Sequence, residues 1–318
     1  MLSVQGTRLR SSSNGRSYGI GTLELMSLSA LREGTRGGAP RGGRTRVQVM
    51  QGDVRRMHRS AANAGALFQV ASQFNLLEMS GPDVTPEDGV TRYEHDHTQG
   101  PACAIAAGAA TIYRNYFVPV GAQMGQTRER QLDCLSDLGA ALSAALGKPV
   151  DELWTMKNGY ALCTQSGLDA VGAYLAELQP AQVDDLRGKL RIGVQWDAEV
   201  TDQTQPPGPL VSQVFCSALP VAYSSLSASL WEPFARLVLE ATYQATMWAA
   251  VSNALRGASN VVYLTFVGGG AFGNQQEWIH DAIRRALTLA SGFDLDVRLV
   301  SYGPPSPSVL RLAKEYAS

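Results

Sequence analysis

The sequence predicts an α/β domain in which a largely parallel central sheet carries helices on both faces. Strand-like and helix-like segments alternate from Val47 to the last predicted strand at 294–303, which is the order typical of such folds. The run SNVVYLTFV at 259–267 is short and almost wholly apolar, as expected for a strand buried on both faces. We find no repeat of 20–50 residues that would indicate a solenoid.

The predicted elements follow from the spacing of apolar residues along the chain. Strands are expected at 46–54, near the end of 60–75, at 189–200, at 212–224 as one or two runs, at 259–267 and at 294–303. Helices are expected at 100–117, 128–146, 166–178, 231–255 and 276–292, the last closed by Gly292. Residues 115–190 hold mainly predicted helices and form an insertion between the strands.

Composition and charge exclude several classes of protein. The chain of 318 residues is 45% apolar and has no run of about 18 apolar residues, so we expect no membrane span, no secretory signal and a cytoplasmic location. The four widely spaced cysteines form no C-x-x-C pair, and His95 and His97 have no third ligand nearby. We therefore predict free thiols, no bound metal and no cofactor.

Residues 1–46 differ in composition from the rest of the chain. They hold eight Arg against Glu24 and Glu33, a net charge of +6, which leaves −7 for residues 47–318. We expect no nucleic-acid partner, because an acidic body lacks the basic face that such binding normally needs. We predict a mobile basic leader over 1–46 with a short packed segment at Thr22–Leu31, followed by one domain over 47–318. A solvated leader, an organellar transit peptide and a basic arm for an anionic partner all fit this composition.

The glycine-rich run TFVGGGAFGN at 265–274, here called the glycine loop, joins the buried strand to a helix. Glycine lets main-chain N–H groups approach an anion, and the following helix N-terminus adds partial positive charge. Gly268, Gly270 and Gly273 also fit G-x-G-x-x-G, but a dinucleotide fold has this motif at its first strand, and here one strand remains. No G-K-[ST] follows, which excludes a Walker loop. A turn without a ligand is the remaining alternative. The predicted binding residues are Gly268, Gly269, Gly270, Ala271, Phe272, Gly273 and Asn274.

Three earlier segments end or follow predicted strands, where ligands of open α/β sheets collect. They are Gly52-Asp53-Val54, Gln73-Phe74-Asn75 and the helix start Thr98–Cys103. Each also fits a plain turn or helix cap.

Taken in order, these segments resemble the macrodomain family. The resemblance implies a three-layer α/β/α domain with a mixed sheet that binds ADP-ribose or an ADP-ribosylated protein. Gly52, Asp53 and Val54 would take the adenine, and Asn75, with Gln73 and Phe74, the distal ribose. Residues 99–104, including Gln99, Gly100, Ala102 and Cys103, and the glycine loop would wrap the diphosphate and ribose.

The chain also departs from the macrodomain pattern. It has Ala71-Ser72-Gln73-Phe74-Asn75 where the family has Asn-Ala-Ala-Asn, and one glycine in the first loop where the family has several. Gly268–Gly270 with Gln275-Gln276-Glu277 loosely resembles the glycine and acidic motif of poly(ADP-ribose) glycohydrolases, but in that branch the motif lies on the first loop.

Cleavage of an ADP-ribose bond passes through an oxocarbenium-like centre and needs a carboxylate that activates water. Glu94 and Asp96 precede the first loop, with His95 or His97 nearby as a proton carrier, and we predict Glu94, Asp96 and Asn75 as catalytic residues. The predicted function is an ADP-ribosyl hydrolase. The alternatives are a binding module that recognises ADP-ribose without cleaving it, and an enzyme acting on another nucleotide.

Overall fold

The computed structural model of the protein describes residues 1–38 and 43–316. The strands are β1 (Leu2–Gln5), β2 (Arg8–Ser11), β3 (Ser17–Gly19), β4 (Thr22–Ser27), β5 (Arg46–Gln51), β6 (Leu67–Ala71), β7 (Pro119–Val120), β8 (Gln123–Met124), β9 (Trp154–Lys157), β10 (Tyr160–Cys163), β11 (Arg191–Glu199), β12 (Leu210–Cys216), β13 (Val261–Leu264) and β14 (Asp296–Ser301).

The helices are α1 (Leu28–Gly34), α2 (Val54–Arg59), α3 (Gln99–Ala106), α4 (Gly108–Tyr116), α5 (Ser136–Leu146), α6 (Val150–Leu153), α7 (Gln165–Glu177), α8 (Pro180–Lys189), α9 (Ala228–Leu255), α10 (Gln276–Ala290) and α11 (Pro307–Lys314). Short 3-10 turns lie at Ala61–Asn63, Pro86–Asp88, Val90–His95 and Val221–Tyr223.

Seven strands form one central sheet in the order β4-β11-β12-β6-β13-β14-β5. β11 runs antiparallel to both of its neighbours, and the pairs from β12 to β5 are all parallel. The carboxyl ends of β12, β6, β13, β14 and β5 therefore lie along one edge of the sheet. The prediction of an α/β fold with a mixed, largely parallel sheet is confirmed.

Neighbouring residues of β6 show that helices cover both faces of the sheet. Phe68 stacks on His58 of α2, with ring centroids 3.7 Å apart, whereas the amide of Gln69 donates to Thr246 of α9 at 2.9 Å. Because successive side chains of a strand point to opposite faces, α2 and α9 lie on opposite sides of the sheet. The protein is a three-layer α/β/α structure.

The structure differs from the mobile leader predicted for residues 1–46. β1, β2 and β3 form an antiparallel sheet, β4 pairs with β11, and α1 buries Leu28 and Leu31. Leu9 and Ile20 are also buried, against Ala109 of α4. These buried apolar residues pack the segment onto the rest of the protein, although its Arg, Ser and Gly content predicts that it is mobile. Of the second Arg- and Gly-rich run at 36–46, residues 39–42 lie outside the described residues. The division of the chain into leader and domain stays a prediction.

Two predicted helices are shorter than their patterns. The expected helix over 100–117 is broken at Ala107, whose φ of −111° and ψ of 54° separate α3 from α4. The helix expected at 128–146 begins only at Ser136, because the preceding residues form turns that pack on the loop after β6. The predicted insertion at 115–190 contains the helices α5 to α8 and two hairpins, β7-β8 and β9-β10.

The four cysteines are free thiols, and Cys103, Cys134 and Cys216 are buried. Among the helices of residues 1–38 and 43–316, none has the length and apolar character needed to cross a membrane.

Candidate functional site

A half-open cleft lies at the carboxyl edge of the sheet, where the loops after β6, β12 and β13 meet the start of α3. Its volume is about 190 Å³. This edge is where open α/β sheets bind ligands. The cleft is lined by Ala71, Ser72, Gln73, Glu78, Met79, Ser80, Asp96, Thr98, Gln99, Gly100, Pro101, Tyr160, Ala218, Tyr223, Thr265, Phe266, Val267, Gly268, Gly270, Ala271 and Phe272.

The loop after β6 folds back on itself and does not extend the strand. Oε1 of Gln73 accepts from the N–H of Met79 at 2.8 Å, and its Nε2 donates to the Met79 carbonyl at 3.1 Å. Asn75 is fully buried: its Oδ1 accepts from the N–H of Leu77, and its Nδ2 donates to Gln131. Consequently Gln73 lines the cleft, whereas Phe74 and Asn75 lie in the interior.

The start of α3 is held against β6 by Gln99. Its Oε1 accepts from the N–H of Ala71 at 2.9 Å, and its Nε2 donates to the carbonyl of Gln69 at 2.8 Å. A Cβ on Gly100 would lie 2.0 Å from the Ala71 carbonyl oxygen, so only glycine allows this approach. The N–H groups of Gln99 and Gly100 have no acceptor among the residues that the structure describes.

The glycine loop is closed by its own hydrogen bonds. Gly268 has a φ of +80°, and its carbonyl accepts from the N–H of Asn274 at 2.9 Å. Within residues 1–38 and 43–316, the N–H groups of Gly270, Ala271 and Phe272 find no acceptor. Three adjacent free N–H groups in a turn are an anion-binding arrangement.

Asp96 is the predicted catalytic acid that reaches the cleft. Its Oδ1 accepts from the N–H of Thr98 at 2.8 Å and from the Thr98 hydroxyl at 2.6 Å. Glu94, two residues earlier, does not line the cleft; it is exposed, and its Oε1 lies 3.5 Å from Nε2 of His95.

Glu78 lies beneath the cleft, and sequence reasoning did not predict it. Burial raises the pKa of its carboxyl group to about 7, although the Arg114 guanidinium opposes this shift. Burial also raises the pKa of the neighbouring Tyr93 and Cys103 side chains, with the charge of Glu78 adding to both effects. The sequence did hold one signal for Glu78: it is the single acid within the apolar run NLLEM at 75–79, where an unpaired charge is unfavourable.

Several predicted ligand-binding residues lie elsewhere. Gly52, Asp53 and Val54 follow β5, which is separated from β6 by β14 and β13, and Asp53 caps α2 through the N–H of Arg55. The side chains of Cys103 and Asn274 are buried. Three further residues predicted to bind the ligand do not line the cleft: Ala102, Gly269 and Gly273.

The structure brings Gln73, Asp96, Gln99, Gly100, Gly268, Gly270, Ala271 and Phe272 together in one cleft. Tyr160 and Tyr223 join them from the β9-β10 hairpin and the loop after β12. Nothing in the local sequence indicated these two residues, because their place in the cleft depends on long-range packing.

Comparison with known proteins identifies similar solved structures but no sequence relative. No family model matches the chain, and no curated protein matches it. The structure is similar to that of poly(ADP-ribose) glycohydrolase from Thermomonospora curvata, at 14% identity and a TM-score of 0.48, covering 98% of this chain and 93% of that one. It is also similar to poly(ADP-ribose) glycohydrolase from Deinococcus radiodurans in complex with ADP-ribose, at 12% identity and a TM-score of 0.47, covering 92% and 93%. A likeness at this level assigns neither a family nor a function to the chain.

Proposed function

We propose that the protein binds ADP-ribose and hydrolyses the bond between its distal ribose and an acceptor group on a modified protein. One observation carries this proposal. The start of α3 at 99–100 and the glycine loop at 270–272 line a single cleft, and their main-chain N–H groups have no acceptor among the described residues. A diphosphate carries two linked anions, and N–H groups at a helix start and in a glycine turn favour such charge.

The order of these segments along the chain resembles that of macrodomains. On this ground we take ADP-ribose as the ligand that carries the diphosphate. A volume of about 190 Å³ is below the roughly 300 Å³ at which pockets enclose a drug-sized ligand. We therefore assign the diphosphate and distal ribose to the cleft. The adenosine extends along the sheet edge towards Gly52 and Asp53, at the end of β5.

Asp96 supplies the chemistry in this proposal. A ribosyl centre that develops oxocarbenium character needs a carboxylate to orient and deprotonate the attacking water. Oδ1 of Asp96 is engaged by Thr98, which holds the carboxylate in place and leaves Oδ2 without a partner among the described residues. Asp96 then accepts a proton from water as the oxygen attacks the anomeric carbon.

Thermal unfolding with ADP-ribose tests binding, because a ligand specific to the native state raises the melting temperature. No shift at millimolar ligand would overturn the proposal. Release of free ADP-ribose from modified proteins tests catalysis. We expect Asp96→Asn to lose turnover, since asparagine can still accept from Thr98 but cannot take a proton. Glu94→Gln is the matched control and should retain activity, because Glu94 lies outside the cleft.

A second candidate function is ADP-ribose recognition without cleavage. The hydrogen bonds of Asp96 Oδ1 to Thr98 are those of an ordinary turn before a helix, which gives this acid a structural role that needs no catalysis. A protein that binds ADP-ribose, yet releases none from any modified substrate, would establish this alternative.

A further inference from the structure

Three aromatic rings form one wall of the cleft, here called the aromatic wall: Tyr160, Tyr223 and Phe272. The ring centroids of Tyr160 lie 5.2 Å from those of both Tyr223 and Phe272, and the latter two rings meet at 5.8 Å in an edge geometry. Tyr160 is buried, and its hydroxyl donates to the Met79 carbonyl at 2.8 Å. Tyr223 is 37% exposed and Phe272 is half-buried, so these two rings have surface to offer a ligand.

The charge around the aromatic wall is acidic. Among residues 1–38 and 43–316, no Lys, Arg or His lines the cleft, and the charged side chains that line it are Asp96 and Glu78. The Glu78 carboxylate is fully buried and faces Arg114, which leaves Asp96 as the accessible charge. Asp96 lines the same cleft as Tyr160, Tyr223 and Phe272, so a ligand in the cleft can contact both the carboxylate and the aromatic wall.

A carboxylate beside aromatic rings, with no cation among the lining residues, suits a planar cation. Guanidinium groups stack on aromatic faces and form paired hydrogen bonds with carboxylates. An acidic acceptor would be repelled here. Its carboxylate would be released as an anion next to Asp96, and no positively charged side chain among the lining residues would compensate that charge.

We propose that the acceptor group is the guanidinium of an arginine side chain, held between Asp96 and the exposed rings of the aromatic wall. This proposal rests on the proposed function, in which Asp96 stands beside the anomeric carbon. The leaving group then occupies the neighbouring space, where the aromatic wall lies.

The bond changes balance with water as the sole co-reactant. The water oxygen bonds to the anomeric carbon as the bond from that carbon to the guanidine nitrogen breaks, and the nitrogen keeps the electron pair. One water proton passes to Asp96 and from there to the departing nitrogen. The products are ADP-ribose and an unmodified arginine guanidinium, and the Asp96 carboxylate is regenerated.

Matched peptides carrying ADP-ribose on arginine, serine or glutamate test the proposal. Dissociation constants measured by calorimetry, together with release of ADP-ribose, should favour the arginine-linked peptide. In Tyr223→Leu we expect the affinity for that peptide, relative to the affinity for free ADP-ribose, to fall roughly 5-fold, which is the effect of losing one cation–π contact. Tyr302→Leu is the control, since Tyr302 is 83% exposed and outside the cleft.

Two results would overturn this inference while leaving the proposed function intact. The first is ADP-ribose binding with no preference for the arginine-linked peptide. The second is an equal loss of free ADP-ribose affinity in Tyr223→Leu, which would assign the aromatic wall to the adenine. Absence of any ADP-ribose binding would overturn the proposed function, and this inference with it.

Discussion

Nη2 of Arg114 lies 3.4 Å from Oε1 of Glu78, and neither side chain is exposed to solvent. The Arg114 guanidinium also sits 3.7 Å above the Phe215 ring, and its Nε donates to the Leu76 carbonyl at 3.1 Å. Its Nη1 has no hydrogen-bond partner among the described residues. The pair therefore links α4 to the loop beneath the cleft, but its long contact compensates the buried charges incompletely.

Replacing Arg114 with methionine should destabilise the protein by about 3–5 kcal/mol at pH 8, because it leaves the Glu78 carboxylate buried without a counter-charge. Urea unfolding measures the loss. At pH 5 the loss should be smaller, since Glu78 is then protonated. The control Arg128→Met removes an exposed arginine and should stay within about 0.5 kcal/mol. An equal loss at both pH values would show that Glu78 is not the group left uncompensated.

Glu78 should make the protein less stable as the pH rises. Burial raises its pKa in the folded state to about 7, so the folded state holds a proton that the unfolded state, with its pKa near 4.5, has released. The bound proton adds on the order of 3 kcal/mol to the free energy of unfolding. This stabilisation is fully present below pH 4.5 and is lost as the pH rises through 7. The stability of the wild type minus that of Glu78→Gln should fall over this range. A flat or rising difference would contradict the assignment.

His58 should have the opposite effect. Burial lowers the pKa of its imidazole to about 4, and the ring stacks on Phe68 while Nδ1 donates to the Val54 carbonyl. Its stabilising contribution is present above pH 6.5 and is lost as the pH falls towards 4, by on the order of 3 kcal/mol. Thermal unfolding of wild type and His58→Gln should therefore converge at low pH. The matched control is His97→Gln at an exposed position, whose stability should stay within about 0.5 kcal/mol of the wild type.

The sequence predicted those parts of the fold that depend on local pattern. The apolar run at β13 and the glycine loop after it indicated a buried strand and its turn, and both are present. Leu9 and Ile20 were missed because each is a single apolar residue in a polar segment, and their burial depends on α4, which lies far away along the chain.

The same limit applies to the candidate site. Asp96, Gln99 and Gly270 lie in segments whose chemistry is visible locally, and the structure brings them into one cleft. Asn75 was assigned to the cleft on the assumption that β6 continues to it, but β6 ends at Ala71 and Gln73 folds the following loop inward. Tyr160 reaches the cleft through a hairpin of the insertion, and the register of that packing cannot be read from local pattern.

Two glycines of the glycine loop should respond differently to alanine. Gly268 has a left-handed φ of +80°, and a Cβ there would lie 2.6 Å from the Cβ of Ala218. Gly268→Ala should cost about 1–3 kcal/mol and weaken ADP-ribose binding, because relief of the strain moves the N–H groups at 270–272. Gly270 has no such φ and has no described heavy atom within 4 Å of an added Cβ, so Gly270→Ala should change stability by less than about 0.5 kcal/mol. Urea unfolding and ADP-ribose titration of both variants measure these effects. Equal stability of the two variants would show that the turn at Gly268 tolerates a side chain.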